Sequence, residues 1–292
     1  MQTLSWRTVV ITNHVKLSYK NGYMVIKGTE NNLVHLSEIG TLLVDSTMAN
    51  ISSHLICELL KRKVKIIFCD EKRNPMSEVV PYYGCHNSSK KIMQQIQWNK
   101  YFQQLVWTQV IKQKILNQAS LLEKKGLEKH QMLKEYTSEI EFFDATNREG
   151  HAAKVYFNSL FGMDFTRDDG SDINVGLDYG YAILLSTFNK EIVNNGYLTQ
   201  LGIKHTNIFN PFNLSSDLME PFRILVDQTV YDNQTLEFGQ DFKMKLVDIL
   251  NQKVYMDGKE YYVGSAIQIY LKSIFETIES QNLDGLQLYE FI

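Results

Sequence analysis

One change along the chain constrains its fold more than any other. Near Pro75 and Pro81 the apolar residues stop alternating and begin to recur at helical spacing. Alternation marks half-buried strands, whereas a 3.6-residue period marks amphipathic helices. Before the change, short runs and turn signals predict β structure. Residues 7–12 read as one strand, and residues 16–20 and 23–27 flank Asn21-Gly22. That pair suits a type I′ hairpin, whose two central residues both need positive φ. Residues 34–36 and 41–44 continue the pattern, and Ser52 or Ser53 can cap a short helix carrying Leu55, Ile56, Leu59 and Leu60. Residues 64–69 (VKIIFC) read as a strand buried on both faces.

After the change, Ser88 or Ser89 can cap a long helix that Gly126 stops, with seven lysines and one acid between Lys90 and Lys125. Further helices are expected at 127–143, 146–162, 175–195, 217–231, 242–251 and 264–280. The expected class is therefore α+β: a small β domain over 1–75, a linker over 76–88 and a larger all-α domain over 89–292.

Charge follows the same division. The chain has 30 Lys+Arg and 33 Asp+Glu, a net of −3. Residues 1–100 hold 13 basic and 7 acidic side chains (+6), and the remainder holds 17 and 26 (−9). The asymmetry fits an anionic partner on one part and an acidic, cation-seeking site on the other, or two differently solvated domains. At 44% hydrophobic and 22% charged residues, disorder is excluded. No apolar run reaches the ~18 residues of a membrane span, and no signal-peptide block begins the chain. Three cysteines without C-x-x-C spacing suit a reducing compartment, so a cytoplasmic location is expected.

Three polar clusters can carry chemistry. In Thr146-Asn147-Arg148-Glu149-Gly150-His151, Thr-x-x-Glu has the form of a capping box, which would occupy Glu149 structurally. Gly202-Ile203-Lys204-His205 places a histidine at a loop entry. In Ser216-Asp217-Leu218-Met219-Glu220-Pro221-Phe222-Arg223, followed by Asp227, three acids fall near one helical face, with Pro221 expected to kink the helix. Stacked like charges repel unless a cation sits between them, although acids also favour a helix start. Carboxylates plus one imidazole suit Mg²⁺ or Mn²⁺, a Lewis acid for phosphodiesters.

In these clusters, in Gly176-Leu177-Asp178-Tyr179-Gly180-Tyr181 and across the whole chain in order, the sequence resembles the CRISPR-associated Cas-one integrase family. Trp6-Arg7-Thr8-Val9-Val10 and Phe68-Cys69-Asp70 resemble its type II-A branch. The resemblance implies an N-terminal β-sandwich used for dimerisation and an α-helical catalytic domain. It implies a metal site of Glu149, His205 and Glu220 holding Mg²⁺ or Mn²⁺, with Asp217 as an additional acid. The third ligand is Asp in many relatives and Glu here. It further implies insertion of short foreign DNA into the CRISPR array, the captured 3′-hydroxyl attacking a repeat phosphodiester. Implied partners are double-stranded DNA, a second copy of the chain, a Cas-two dimer, and the type II-A effector nuclease and DNA-end-binding ring. Arg148, Lys204 and Arg223 are candidates for holding DNA phosphates. The alternatives are a non-catalytic DNA-binding scaffold of the same fold and a metalloenzyme acting on a small molecule.

Overall fold

The computed structural model describes residues 7–82, 84–167 and 170–291, so Trp6 lies outside the described residues. The chain forms two compact units, Met1–Gly84 and Cys85–Ile292.

The first unit contains β1 (Arg7–Ile11), β2 (Lys16–Lys20), β3 (Tyr23–Lys27), β4 (Asn31–His35), β5 (Ile39–Val44), β6 (Asn50–Ile51), α1 (Ser53–Lys61), β7 (Lys65–Cys69) and β8 (Pro75–Glu78). They make two four-stranded sheets, ordered β1-β5-β7-β8 and β4-β3-β2-β6. In the first, β5 pairs in parallel with β1 and β7, and β8 runs antiparallel to β7. In the second, β2-β3-β4 is an antiparallel meander, and β6 joins β2 in parallel. Asn21 (φ 47°) and Gly22 (φ 87°) make the expected β2–β3 turn. Both sheets and α1 feed one core that includes Ile11, Leu17, Met24, Leu42, Leu55 and Ile66. The unit extends past residue 75 because β8 continues the first sheet, so the segment read as a linker over 76–88 holds most of a strand and the start of a helix.

The second unit contains α2 (Ser88–Ile96), α3 (Lys100–Lys124), α4 (His130–Ser138), α5 (Arg148–Phe161), α6 (Asp172–Asn194), α7 (Asn213–Leu218), α8 (Arg223–Asp232), α9 (Gln240–Asp248), β9 (Lys253–Met256), β10 (Lys259–Tyr262) and α10 (Val263–Ser280). The single helix expected from residue 88 to Gly126 is two. Asn99 interrupts it, its side chain accepting from the Tyr101 and Phe102 N–H groups and capping α3. The all-α expectation also needs correction, since β9 and β10 form an antiparallel hairpin turned by Asp257 (φ 51°) and Gly258 (φ 70°). The helix expected at 217–231 is broken into α7, a 3₁₀ turn at Glu220–Phe222 and α8, with Pro221 inside the turn where its missing N–H costs least. Among the described residues no helix is long and apolar enough to cross a membrane.

Long helix α3 is the axis of this unit. Its buried face runs through Trp107, Val110, Ile111, Ile115, Gln118 and Leu122. The buried Asn117 amide donates to the carbonyls of Pro221 (2.9 Å) and Tyr289 (3.1 Å), fixing the proline turn and the chain end against α3. Gly180 lets α6 approach α8 closely, since a Cβ there would lie 2.4 Å from Val226 Cγ1.

Candidate active site

α3, α5 and the proline turn bring Lys114, Glu149 and Glu220 together, and the loop before α7 carries His205. Lys114 projects from α3, and its Nζ lies 2.7 Å from Glu149 Oε1 and 2.6 Å from Glu220 Oε2. Glu220 Oε1 accepts from Arg223 Nε at 3.0 Å. Its Oε2 is held by the Lys114 ammonium, so both oxygens of this buried carboxylate face a cation. Burial alone would push the Glu220 pKa upward. Arg223 and then Lys114 outweigh it, and the pKa falls below the ordinary value. Burial likewise disfavours charge on Lys114, but Glu220 and Glu149 reverse the sign and raise it.

His205 is set by Asp217, which is fully buried. Asp217 Oδ2 accepts the backbone N–H groups of Ile203 (2.6 Å) and Lys204 (2.8 Å), and Oδ1 accepts that of His205 (3.2 Å). Oδ1 also pairs with His205 Nδ1. A carboxylate only accepts, so Nδ1 is the donor and Nε2 is left for another partner. This hydrogen bond raises the His205 pKa against a desolvation penalty, with Glu220 and Glu149 adding to the rise. The Trp107 ring stands edge-on to the imidazole at 6.0 Å. Gly202 makes the turn possible: a Cβ there would meet the His205 carbonyl oxygen at 2.4 Å and Asp217 Oδ2 at 2.8 Å.

The capping reading of Glu149 is corrected. Asp144 caps α5, its carboxylate accepting the N–H groups of Arg148 (2.8 Å) and Glu149 (3.1 Å), while Thr146 Oγ1 is buried without a partner. Glu149 is thereby free to reach Lys114. The stripe of three acids on one helical face is also corrected, because the break at Pro221 sends each acid elsewhere. Asp217 meets His205, Glu220 meets Lys114 and Arg223, and Asp227 accepts from Tyr156 (2.9 Å) and Tyr181.

Of the phosphate candidates, Arg223 stacks its guanidinium on Tyr181 at 4.6 Å. Arg148 pairs with Glu139 at 2.9 Å and lies over Tyr136. Lys204 donates to the Phe143 carbonyl at 3.3 Å and sits 4.1 Å from that ring's centroid. A cavity of about 140 Å³ opens here, lined by Lys114, Tyr181, Glu220, Arg223 and Asp227 among others.

The segment before α5 is strained. Phe143 (φ 58°), Asp144 (φ 51°) and Asn147 (φ 54°) are left-handed, at roughly 1–2 kcal/mol for a non-glycine residue and less for Asn or Asp. Lys114 is the site residue that the sequence does not announce, one of seven lysines between Lys90 and Lys125. The available signal was its place four after Val110 and seven after Trp107, on the apolar face.

Among the described residues no group of three or more His, Cys, Asp or Glu side chains is placed to hold a metal ion, and Lys114 stands between the two glutamates. The donor chemistry nonetheless fits a divalent cation. Two carboxylates share one ammonium, and the imidazole is oriented through its other nitrogen by a carboxylate, as metal-ligating histidines commonly are.

The model of the family described as CRISPR associated protein Cas1 matches residues 8–250. A protein from Neisseria meningitidis, described as CRISPR-associated endonuclease Cas1, is 30% identical over 99% of this chain and 97% of its own length. The chain belongs to the Cas1 family. A second relative, CRISPR-associated endonuclease Cas1 1 of Francisella tularensis subsp. novicida, is 25% identical over 90% of each chain. The Cas1 fold is shared with a casposase bound to integration product, at a TM-score of 0.77 and 19% identity over 98% of this chain and 93% of that one. TM1797, a Cas1 protein from Thermotoga maritima, aligns at 0.71 and 15% over 93% and 97%. A Cas6-RT-Cas1–Cas2 complex aligns at 0.73 and 16%, where this chain spans 36% of the longer polypeptide.

Proposed function

We propose that this Cas1 chain is a metal-dependent DNA endonuclease and integrase of CRISPR adaptation, inserting short foreign DNA into the array. The carrying observation is the convergence of Glu149 and Glu220 on one cationic group, Lys114 Nζ, in a chain of this family. The Cas1 relatives described as endonucleases and the casposase described as bound to integration product support the same chemistry.

Glu149, Glu220 and His205 would hold one Mg²⁺ or Mn²⁺ ion. When bound, such an ion supplies Lewis acidity to the scissile phosphodiester and to the 3′ oxygen that attacks or leaves. Asp217 is the positioning acid: with its oxygens taken by three backbone N–H groups and the imidazole, it aims His205 Nε2. Arg223, braced on Tyr181, offers guanidinium N–H groups to a phosphate beside Glu220. Lys204 and Arg148 supply further positive charge along the backbone, where most affinity for DNA arises.

Dimerisation through the β-rich unit and a Cas2 partner belong to this reading, the latter supported by the Cas1–Cas2 complexes among the structural relatives. The narrower type II-A placement, with the effector nuclease and the DNA-end-binding ring as partners, rests on the resemblance of residues 6–10 and 68–70.

The test is 3′-end joining to a DNA carrying a CRISPR repeat, with Mg²⁺ or Mn²⁺ supplied. Glu149→Ala and His205→Ala should each reduce the rate by about 10²-fold or more. Equal rates in wild type and both variants would overturn the site. A scaffold would bind DNA without joining it. A small-molecule metalloenzyme would show no salt-dependent DNA affinity.

A further inference from the structure

Three consecutive residues between α4 and α5 touch three of the elements that carry the site. The Phe143 N–H donates to Thr108 Oγ1 on α3 at 2.8 Å, and that hydroxyl donates onward to the Gln104 carbonyl at 2.9 Å. α3 is the helix that presents Lys114. The Phe143 carbonyl accepts from Lys204 Nζ, and the Phe143 ring lies beneath the same ammonium. Lys204 adjoins His205. The buried Asp144 carboxylate accepts from Arg148 and Glu149, holding the first turn of α5. Phe142 leaves the cluster on the outer side and stacks on Tyr101, the ring centroids 5.3 Å apart.

The backbone explains how one short segment reaches in three directions. With Phe143 and Asp144 both at positive φ, successive side chains and carbonyls turn away from the alternation of a strand and the spiral of a right-handed helix. Such conformations persist only where the surroundings over-determine them, and they gather where geometry serves function. Here the contacts that hold the turn are the contacts to the site-bearing elements.

We infer that residues 143–144 form a clasp that sets the Glu149 turn and the His205 loop relative to each other, making Phe143, Asp144 and Lys204 positioning residues for the reaction. This rests on the metal-site reading for its catalytic meaning, but not for its mechanics. Asp217 holds the backbone of the His205 loop from inside; the clasp holds the Lys204 side chain from α5's side. Losing the clasp should loosen both segments together, whichever end is cut.

Amide hydrogen exchange on the full chain, without metal, tests the mechanics. Lys204→Met keeps the alkyl chain and removes the ammonium. It should speed exchange at residues 148–149 as well as at 203–205. Asp144→Ala should speed exchange at 203–205 as well as at 148–149, with Asp144→Asn intermediate because one acceptor oxygen remains. If each variant loosens only its own segment, the clasp is refuted and Asp144 is a helix cap alone. Should Asp144→Ala fail to fold, Lys204→Met and Asp144→Asn decide by the same criterion. Mn²⁺ titration supplies the catalytic half: Asp144→Ala should weaken binding by about tenfold or more. Wild type that binds no Mn²⁺ would defeat the metal-site reading while leaving the exchange result to judge the clasp.

Discussion

Glu220 and Asp227 stand seven residues apart, line the same cavity and are both buried, yet their surroundings push their protons in opposite directions. For each, burial is the largest influence and favours the neutral acid. Around Glu220, Arg223 and Lys114 carry full positive charges and overcome that influence. Around Asp227, the hydroxyls of Tyr181 and Tyr156 only moderate it, and the pKa rises to about 6. Those phenols are in turn driven well above their usual range, chiefly by burial and then by the Asp227 charge. Partner chemistry, more than depth, separates a carboxylate kept ionised by two basic side chains from one that pins helices together. Asp227 joins Tyr156 of α5 to Tyr181 of α6, and the Tyr181 ring carries Arg223 back to Glu220.

The largest predicted effect comes from removing the charge that separates the two cases. Lys114→Met leaves Glu149 and Glu220 facing each other without an ammonium, which should cost about 3–5 kcal/mol in chelator-treated protein. Thermal melts should show Mn²⁺ recovering more stability in this variant than in wild type. An unchanged melting temperature in chelator would show that the ion pairs contribute nothing.

Next is the pH response of Asp227. Its folded pKa of about 6 lies above the ordinary 3.8, so the folded state binds the extra proton. The stabilisation is fully present below the unfolded value and is lost as pH rises through the folded one, amounting to about 3 kcal/mol. Asp227→Asn should remove this slope from denaturation curves collected across that window. A slope that persists would assign the titration elsewhere.

The smallest effects sharpen the role of the phenols. Tyr156→Phe and Tyr181→Phe should each cost about 1 kcal/mol and move the Asp227 midpoint upward, since each hydroxyl lowers that pKa. Tyr181→Phe keeps the ring beneath Arg223, so DNA affinity should hold. A loss of affinity in that variant alone would mean that the hydroxyl itself meets DNA.

What the sequence reveals depends on the range of the interaction. Asn21-Gly22 announces its hairpin because the turn is decided by the φ preferences of two residues. The change from strands to helices is equally local, and of the three polar clusters two meet directly, Glu149 and Glu220 both reaching Lys114, while His205 of the other pairs with Asp217. Lys114 escaped because its partners lie 35 and 106 residues away, and a lysine on a lysine-rich helix reads as solvated. Thr146 to Glu149 matched a capping pattern, but Asp144, reached through a left-handed turn that no spacing rule anticipates, took the cap. The helix at 217–231 was correct in composition and wrong in continuity, since Pro221 ends one helix rather than bending it. Asp257-Gly258 carried a hairpin signal as good as Asn21-Gly22, hidden within a stretch dominated by helical periodicity.

Gly202 leaves one more consequence. A single methyl group at this position would press on the His205 carbonyl and the Asp217 carboxylate together, although the residue carries no reactive atom. A genetic screen for inactive alleles should therefore return substitutions at Gly202 as readily as at His205. Their products should be folded and abundant, and still able to hold DNA.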